Sequence, residues 1–179
     1  QEGTELQRLS AVGYFGYGCP KEHVLPVKNQ LASILRDADE DLSLRTAAAG
    51  ALSWLGEDAY PYFGDMLRIV AAAKPDDPLG RIDEKMGRHL TVLCKDPYAA
   101  GLVRDKDLFY RAVNRLLHHR RMNGRGAGLD LIANIPLEDF HRVGDNVLHI
   151  IEDRDLNYHS YHNPAGPVGK GLTVFANLN

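Results

Sequence analysis

Apolar residues along this chain recur with the spacing of a helix face, and the pattern returns after thirty-eight residues. It is clearest between residues 44 and 55, where the apolar positions form one continuous stripe: Leu44, Ala47, Ala48, Ala51, Leu52 and Leu55. Related patterns occupy residues 6–17 and 82–93. Internal periods of this size are typical of stacked helical repeats, in which each unit buries its apolar face against its neighbours. The pattern therefore predicts an all-α chain of helical hairpins.

Proline and aspartate positions suggest where these helices begin. Four prolines recur at intervals of thirty-five, thirty-six and thirty-nine residues: Pro26, Pro61, Pro97 and Pro136. Because proline is tolerated in the first helical turn, each predicts the start of a second helix of a hairpin. Asp39 or Asp41 is expected to cap the helix that follows it. We predict helices over residues 4–17, 22–36, 41–55, 59–73, 83–93, 106–122, 128–135 and 137–152.

The C-terminal segment, residues 153–179, differs in composition from the rest of the chain. It is rich in Asn, Gly, Pro and aromatic residues, which is typical of irregular structure. Within it, residues 172–175 are predicted as one short strand. We divide the chain into a helical-repeat domain, residues 1–152, and this irregular segment. The segment either caps the open end of the stack or is the edge of a larger domain.

Composition excludes several classes of protein. The chain has 179 residues, of which 44% are hydrophobic and 25% charged, as expected for a soluble globular domain. The net charge of −3 argues against a nucleic-acid-binding or membrane-surface protein. Two cysteines, Cys19 and Cys94, provide neither a disulfide framework nor a paired-cysteine zinc motif, so the cellular compartment stays open. Since the first residue is Gln1 and not Met, we expect a piece of a longer protein.

One stretch carries a family resemblance. Residues 44–59, LRTAAAGALSWLGEDA, resemble the first helix of a HEAT-like repeat of the kind named after phycobilisome lyases. The shared features are an aliphatic residue followed by arginine, paired alanines, and Leu-Gly before an acidic turn; Gly50 and Trp54 depart from the usual pattern. The resemblance implies a short right-handed α-solenoid that binds other proteins, and it carries over no activity. An iron hydroxylase class with this repeat uses His-Glu pairs, and no His-Glu dipeptide occurs here.

A histidine pair near the C-terminus is the candidate metal site. His159 and His162 are three residues apart and follow Glu152, Asp153 and Asp155. Imidazole together with carboxylate suits zinc. The simpler interpretation is that these residues attach an irregular segment to the last helix, since the sequence fixes no third ligand. Zinc is therefore the alternative cofactor, and a hydrolytic or carbohydrate-active domain fragment is the alternative function.

A basic run is the candidate binding surface. Residues 104–125 contain seven lysines and arginines against two aspartates. The candidate contacts for an acidic partner among them are Arg111, Arg115, Arg121 and Arg125. The glycines at 124, 126 and 128 lead into the predicted helix at 128, whose N-terminus would favour an anion. The alternative interpretation is a solvated basic face, or one paired with acidic neighbours in a larger parent chain.

Aromatic residues add further candidates. Tyr14, Tyr60 and Tyr62 lie near the junction of the first two repeats, where they either contact a partner or fill the helix junction. His89 falls on an apolar stripe and is expected to be a hydrogen-bonded core histidine.

No serine or cysteine nucleophile motif is present in the sequence. The leading hypothesis is therefore a protein- or peptide-binding scaffold without catalytic activity of its own, with no nucleic-acid or membrane partner. A purely structural role, as the helical spacer of a longer chain, is the third hypothesis.

Overall fold

The computed structural model describes residues 4–16, 19–73, 82–153 and 167–177, and every regular element within these ranges is a helix. The α-helices are α1 (Glu5–Gly16), α2 (Lys21–Val24), α3 (Lys28–Arg36), α4 (Leu42–Ser53), α5 (Phe63–Ala72), α6 (Ile82–Leu93), α7 (Lys106–Leu117), α8 (Met122–Leu131), α9 (Gly144–Glu152) and α10 (Pro167–Ala176). Shorter 3-10 segments precede α3, α5 and α9: Leu25–Val27, Gly56–Tyr62 and Leu137–Arg142. The prediction of an all-α chain is confirmed.

The helices pack in two rows, which contact each other. In one row α1 packs on α4, α4 on α6, α6 on α8 and α8 on α10. In the other row α3 packs on α5, α5 on α7 and α7 on α9. The rows are joined because α3 also contacts α4, α5 contacts α6, α7 contacts α8 and α9 contacts α10. Most of the buried apolar side chains belong to one continuous cluster that runs through both rows.

The predicted apolar stripe of α4 lies at the centre of this packing. Five of its six residues are at most 1% exposed: Leu44, Ala48, Ala51, Leu52 and Leu55. Burying a leucine side chain stabilises the fold by roughly 1.5–3 kcal/mol, whereas the alanines allow neighbouring helices to approach. On the α1 side, a Cβ placed on Gly16 would lie 3.6 Å from the Ala51 amide nitrogen. The small residues of the repeat therefore set the spacing between α1 and α4.

Helix starts follow the expected chemistry in part. Asp41 caps α4, since its carboxylate accepts hydrogen bonds from the amides of Ser43 and Leu44 at 2.8 and 3.2 Å, as predicted. Pro26 and Pro61 lie within 3-10 segments, and α3 and α5 begin two residues after them. The predicted helices 22–36 and 59–73 are therefore divided, because proline supplies no amide hydrogen to an α-helical ladder.

The prediction of a strand over residues 172–175 is wrong. These residues belong to α10, in which Val174 is 1% exposed. The helix packs on α8 and α9, and a Cβ on Gly171 would lie 3.0 Å from Cγ1 of Ile151. The β-branched and aromatic residues that suggested a strand are buried here as a helix face, so tertiary packing overrides local preference.

No described helix is both long enough and apolar enough to cross a lipid bilayer.

Candidate functional site

The structure distributes the predicted basic residues over several contacts. Arg115, on α7, has its Nη2 atom 3.2 Å from Oδ2 of Asp83 at the start of α6. Arg121, just before α8, has its Nε atom 3.7 Å from Oε2 of Glu84. Two of the four arginines proposed as partner contacts are therefore already paired with carboxylates of α6. These two arginines are therefore not part of a free basic face. They are paired with acidic residues, as the alternative interpretation suggested, but the partners lie within this chain and not in a larger parent chain.

Arg125 is also occupied within the fold. Its Nη1 atom lies 2.8 Å from Oδ2 of Asp153, and its Nε donates to the backbone oxygen of His119 at 2.7 Å. Arg111, by contrast, is exposed on α7. Among the predicted basic contacts, only Arg111 has no carboxylate partner within the described ranges.

A buried polar cluster lies beneath these arginines. His119 and Asp83 are 5% and 3% exposed, and Nε2 of His119 lies 3.0 Å from Oδ1 of Asp83. The backbone amide of Arg121 donates to Nδ1 of His119 at 3.0 Å, so the proton of a neutral ring is on Nε2 and is donated to Asp83. Burial would raise the pKa of Asp83, but His119 and Arg115 outweigh it and hold that pKa below its usual value. Both ring nitrogens of His119 are therefore engaged in holding α6, α7 and α8 together.

The predicted anion site at residue 128 is not formed. The glycines at 124, 126 and 128 lie inside α8, which begins at Met122. A Cβ on Gly124 would come 2.5 Å from Cγ of His119, a distance that real Cβ atoms do not show. Gly124 packs against His119 and Gly128 against Leu116 and Leu117 of α7, whereas a Cβ on Gly126 would meet only Lys170 Nζ at 3.6 Å. The prediction of a helix N-terminus open to an anion at residue 128 is therefore wrong.

A second buried cluster centres on Asp139, which is 4% exposed. Tyr98 donates to Oδ2 of Asp139 at 2.7 Å, and its hydroxyl lies 2.5 Å from the hydroxyl of Tyr110. Lys106 Nζ lies 2.7 Å from the same carboxylate. Burial raises the pKa of Tyr98 to about 12 and that of Tyr110 further still. For Asp139 burial is outweighed by the bonds from Lys106 and Tyr98, so its pKa is lowered.

The three predicted tyrosine contacts have different surroundings. Tyr14 is 67% exposed on α1, where its ring meets Phe15 edge-on. Tyr62 is 8% exposed, and the Arg36 guanidinium covers its ring at 5.2 Å from the centroid. Tyr60 is half-buried, and a hydrogen bond with the Cys94 thiol, followed by burial, raises its pKa. Of the three tyrosines, Tyr60 is the one that lines a cavity at the start of α5.

That cavity is a groove of about 580 Å³ between the start of α5 and the turn before α7, here named the α5–α7 groove. Its lining combines buried apolar side chains with exposed charged ones: Arg36, Tyr60, Pro61, Phe63, Gly64, Asp65, Leu67, Arg68, Ala100, Gly101, Leu102, Arg104, Asp105 and Leu108. Of these, Tyr60 was a named candidate contact from the sequence, and Arg104 belonged to the predicted basic run. The others are missed because they come from separate segments, although their clustering around proline and glycine turns is a signal that could have been followed.

Two glycines leave space in the α5–α7 groove. A Cβ on Gly64 or on Gly101 would meet no atom within 4 Å. Gly101 has a φ of +66°, so its turn requires glycine. Gly64 has no such requirement, since it lies in the first turn of α5, where alanine is the better helix former by roughly 1 kcal/mol. Folding therefore does not require a glycine at position 64, which lines the groove.

The histidine predictions have separate outcomes. His159 and His162 lie outside the described residues, so zinc binding there stays a prediction. Within the described ranges, no group of three or more metal-ligating side chains comes together. His89 is mostly buried next to Gly50, whose added Cβ would lie 3.0 Å from the His89 ring. The expected hydrogen bond is not seen for His89 among the described residues, and burial, then Arg88 and Lys85, lowers its pKa to about 4.

No protein-family model matches this chain, and no curated protein or solved structure is found to be similar to it. The resemblance of residues 44–59 to a HEAT-like repeat therefore rests on those residues alone.

Proposed function

We propose that this chain is a short HEAT-like α-solenoid that binds a protein or peptide segment in the α5–α7 groove, without catalytic activity of its own. The repeat of thirty-eight residues and the two rows of helix contacts support the solenoid part of the proposal. Stacked repeats of this kind present extended grooves between successive helices, and such grooves bind peptides.

One observation carries the binding proposal: Gly64 lines the α5–α7 groove, and a Cβ at this position would meet no atom within 4 Å. Glycine allows the backbone of a ligand to approach closely. Beside it, the half-buried Tyr60 lines the same groove. Aromatic residues of this kind are enriched among the side chains that contribute most to binding.

The buried polar clusters support a non-catalytic role. Both nitrogens of His119 are committed to Asp83 and to the Arg121 amide, so the ring has no free position for proton transfer to a substrate. The raised pKa values of Tyr98 and Tyr110 keep both phenols protonated near neutral pH. These groups connect helices and do not face the groove.

The test is selection of peptides from a random displayed library on the folded protein, followed by affinity measurements on two variants. Gly64→Leu places a bulky side chain on a residue that lines the groove, whereas Gly13→Leu is the matched control, because a Cβ on Gly13 of α1 also meets open space. Selected peptides should bind the wild type and Gly13→Leu equally. Their affinity for Gly64→Leu should fall at least tenfold, or about 1.4 kcal/mol.

Circular dichroism and a thermal scan confirm that both variants remain folded. The proposal is contradicted when the selected peptides bind Gly64→Leu as tightly as the wild type, or when no peptide is enriched over a blank surface.

A further inference from the structure

We infer that the occupant of the α5–α7 groove is an acidic peptide segment, one carboxylate of which pairs with Arg104. This inference rests on the proposed peptide-binding function and names the chemistry of the partner. It is carried by the distribution of charge within the groove.

The groove is positive in a protein that is negative as a whole. The chain has a net charge of −3, but three arginines line the groove against two aspartates. The arginines are Arg36, Arg68 and Arg104. An excess positive charge in a concave surface attracts anionic groups and disfavours cationic ones.

Both aspartates of the groove are already engaged. Asp65 is shared by two arginines, with Oδ2 2.7 Å from Nε of Arg36 and Oδ1 2.5 Å from Nη1 of Arg68. Asp105 is the N-cap of α7, where Oδ1 accepts a hydrogen bond from the Leu108 amide at 2.9 Å. Neither carboxylate forms an ion pair with the third arginine.

Arg104 is that third arginine. It is exposed, and no described carboxylate lies within ion-pairing distance of its guanidinium. Its backbone is fixed, since its amide donates to the Leu102 oxygen at 3.0 Å and the Leu102 amide donates to the Pro97 oxygen at 2.9 Å. A guanidinium on a rigid turn presents paired donors that match a carboxylate.

The apolar residues of the groove indicate which side chain the peptide carries next to its carboxylate. The apolar residues Phe63, Leu67 and Leu108 also line the groove, and because each is at most 7% exposed they add only a small apolar floor to its charged rim. An acidic residue next to an apolar one fits this combination of rim and floor. A uniformly acidic segment would leave the floor without a contact.

The experiment uses the peptides selected on the wild-type protein, with affinity measured by fluorescence polarisation. Arg104→Glu reverses the charge at the proposed contact. The matched control is Arg111→Glu, which makes the same change on an exposed arginine of α7 that does not line the groove. Peptides that depend on Gly64 should be enriched in Asp and Glu, lose about tenfold in affinity on Arg104→Glu, and remain unchanged on Arg111→Glu.

The outcomes separate this inference from the proposed function. Peptides that require an open Gly64 but lack acidic residues, or that bind Arg104→Glu as well as the wild type, overturn the inference and leave the binding function standing. Peptides insensitive to Gly64→Leu overturn both. Loss of binding on Arg111→Glu alone would also overturn both, because it would place the contact on the exposed face of α7.

Discussion

The Nε2 atom of His119 lies 3.0 Å from Oδ1 of Asp83, and each of these side chains is at least 95% buried. The two residues are thirty-six positions apart and join the start of α6 to the end of α7. A buried hydrogen bond to a carboxylate contributes more than a surface one, because water cannot replace the lost donor; after removal of His119 the Asp83 carboxylate would keep Arg115 as its ion-pair partner.

Replacing His119 by alanine should therefore lower the free energy of unfolding by about 1.5–3 kcal/mol. The control is His118→Ala, since His118 is exposed and its neighbour in sequence; we expect a change within about 0.5 kcal/mol. Urea denaturation monitored by circular dichroism measures both. Equal losses in the two variants would show that the Asp83 contact does not stabilise the fold.

Two glycines should respond to alanine with opposite signs. Gly124→Ala brings a Cβ to 2.5 Å from the His119 ring and should cost about 1–3 kcal/mol through overpacking. Gly64→Ala meets no atom within 4 Å and should raise the stability by up to about 1 kcal/mol, because alanine is the better helix former. Thermal unfolding of the two variants and the wild type measures both changes in stability. A Gly124→Ala variant more stable than the wild type would contradict the close packing around His119.

Asp139 should contribute to stability at neutral pH but not in acid. Its pKa is lowered in the folded state by Lys106 and Tyr98, against the effect of burial, whereas an unfolded aspartate titrates near about 3.9. The stabilisation is therefore complete above that pH and is lost as pH falls through the lower, folded value. Asp139→Asn should be less stable than the wild type at pH 7, and the difference should shrink below about pH 4.

Unfolding free energies of wild type and Asp139→Asn between pH 7 and pH 2 test this expectation. Glu138→Gln is the control, since Glu138 is the exposed neighbour. A difference between wild type and Asp139→Asn that does not change with pH would exclude the proposed titration.

His89 should make the protein sensitive to a milder acidification. Its pKa falls from 6.5 to about 4 on folding, mainly through burial. The unfolded chain therefore binds a proton between these values that the folded chain does not, and stability decreases as pH drops through this window. Replacing His89 by Gln should flatten the decrease in unfolding free energy between pH 7 and pH 5. The exposed His149, changed to Gln in the same way, should leave the wild-type slope in place.

Periodicity in the sequence predicted the helical core well. The spacing of Leu44, Ala48 and Leu52 identified the buried face of α4 because neighbours on a helix repeat every 3.6 residues. Asp41 was identifiable as a cap for a similarly local reason. Residues 172–175 were wrongly predicted as a strand, since the burial of Val174 against α8 and α9 depends on elements distant in sequence.

Much less of the candidate site could be predicted from the sequence. Arg115 and Arg125 appeared as surface charges, because their carboxylate partners Asp83 and Asp153 lie about thirty residues away along the chain. Arg104 was counted in the same basic run; like Arg111 it has no carboxylate partner among the described residues, but unlike Arg111 it lines the α5–α7 groove. Pairing across helices is a property of the fold, so no local pattern separates a cross-linking arginine from one facing solvent.

The two rows of contacts also affect how the chain can be assembled during synthesis. In the described part of the molecule, each helix packs on helices one to three positions away along the chain. Contacts that are close in sequence cost little loop-closure entropy and favour folding in microseconds to milliseconds. α4 can therefore pack on α1 and α3 before α6 has left the ribosome, and each later helix finds its surface already formed.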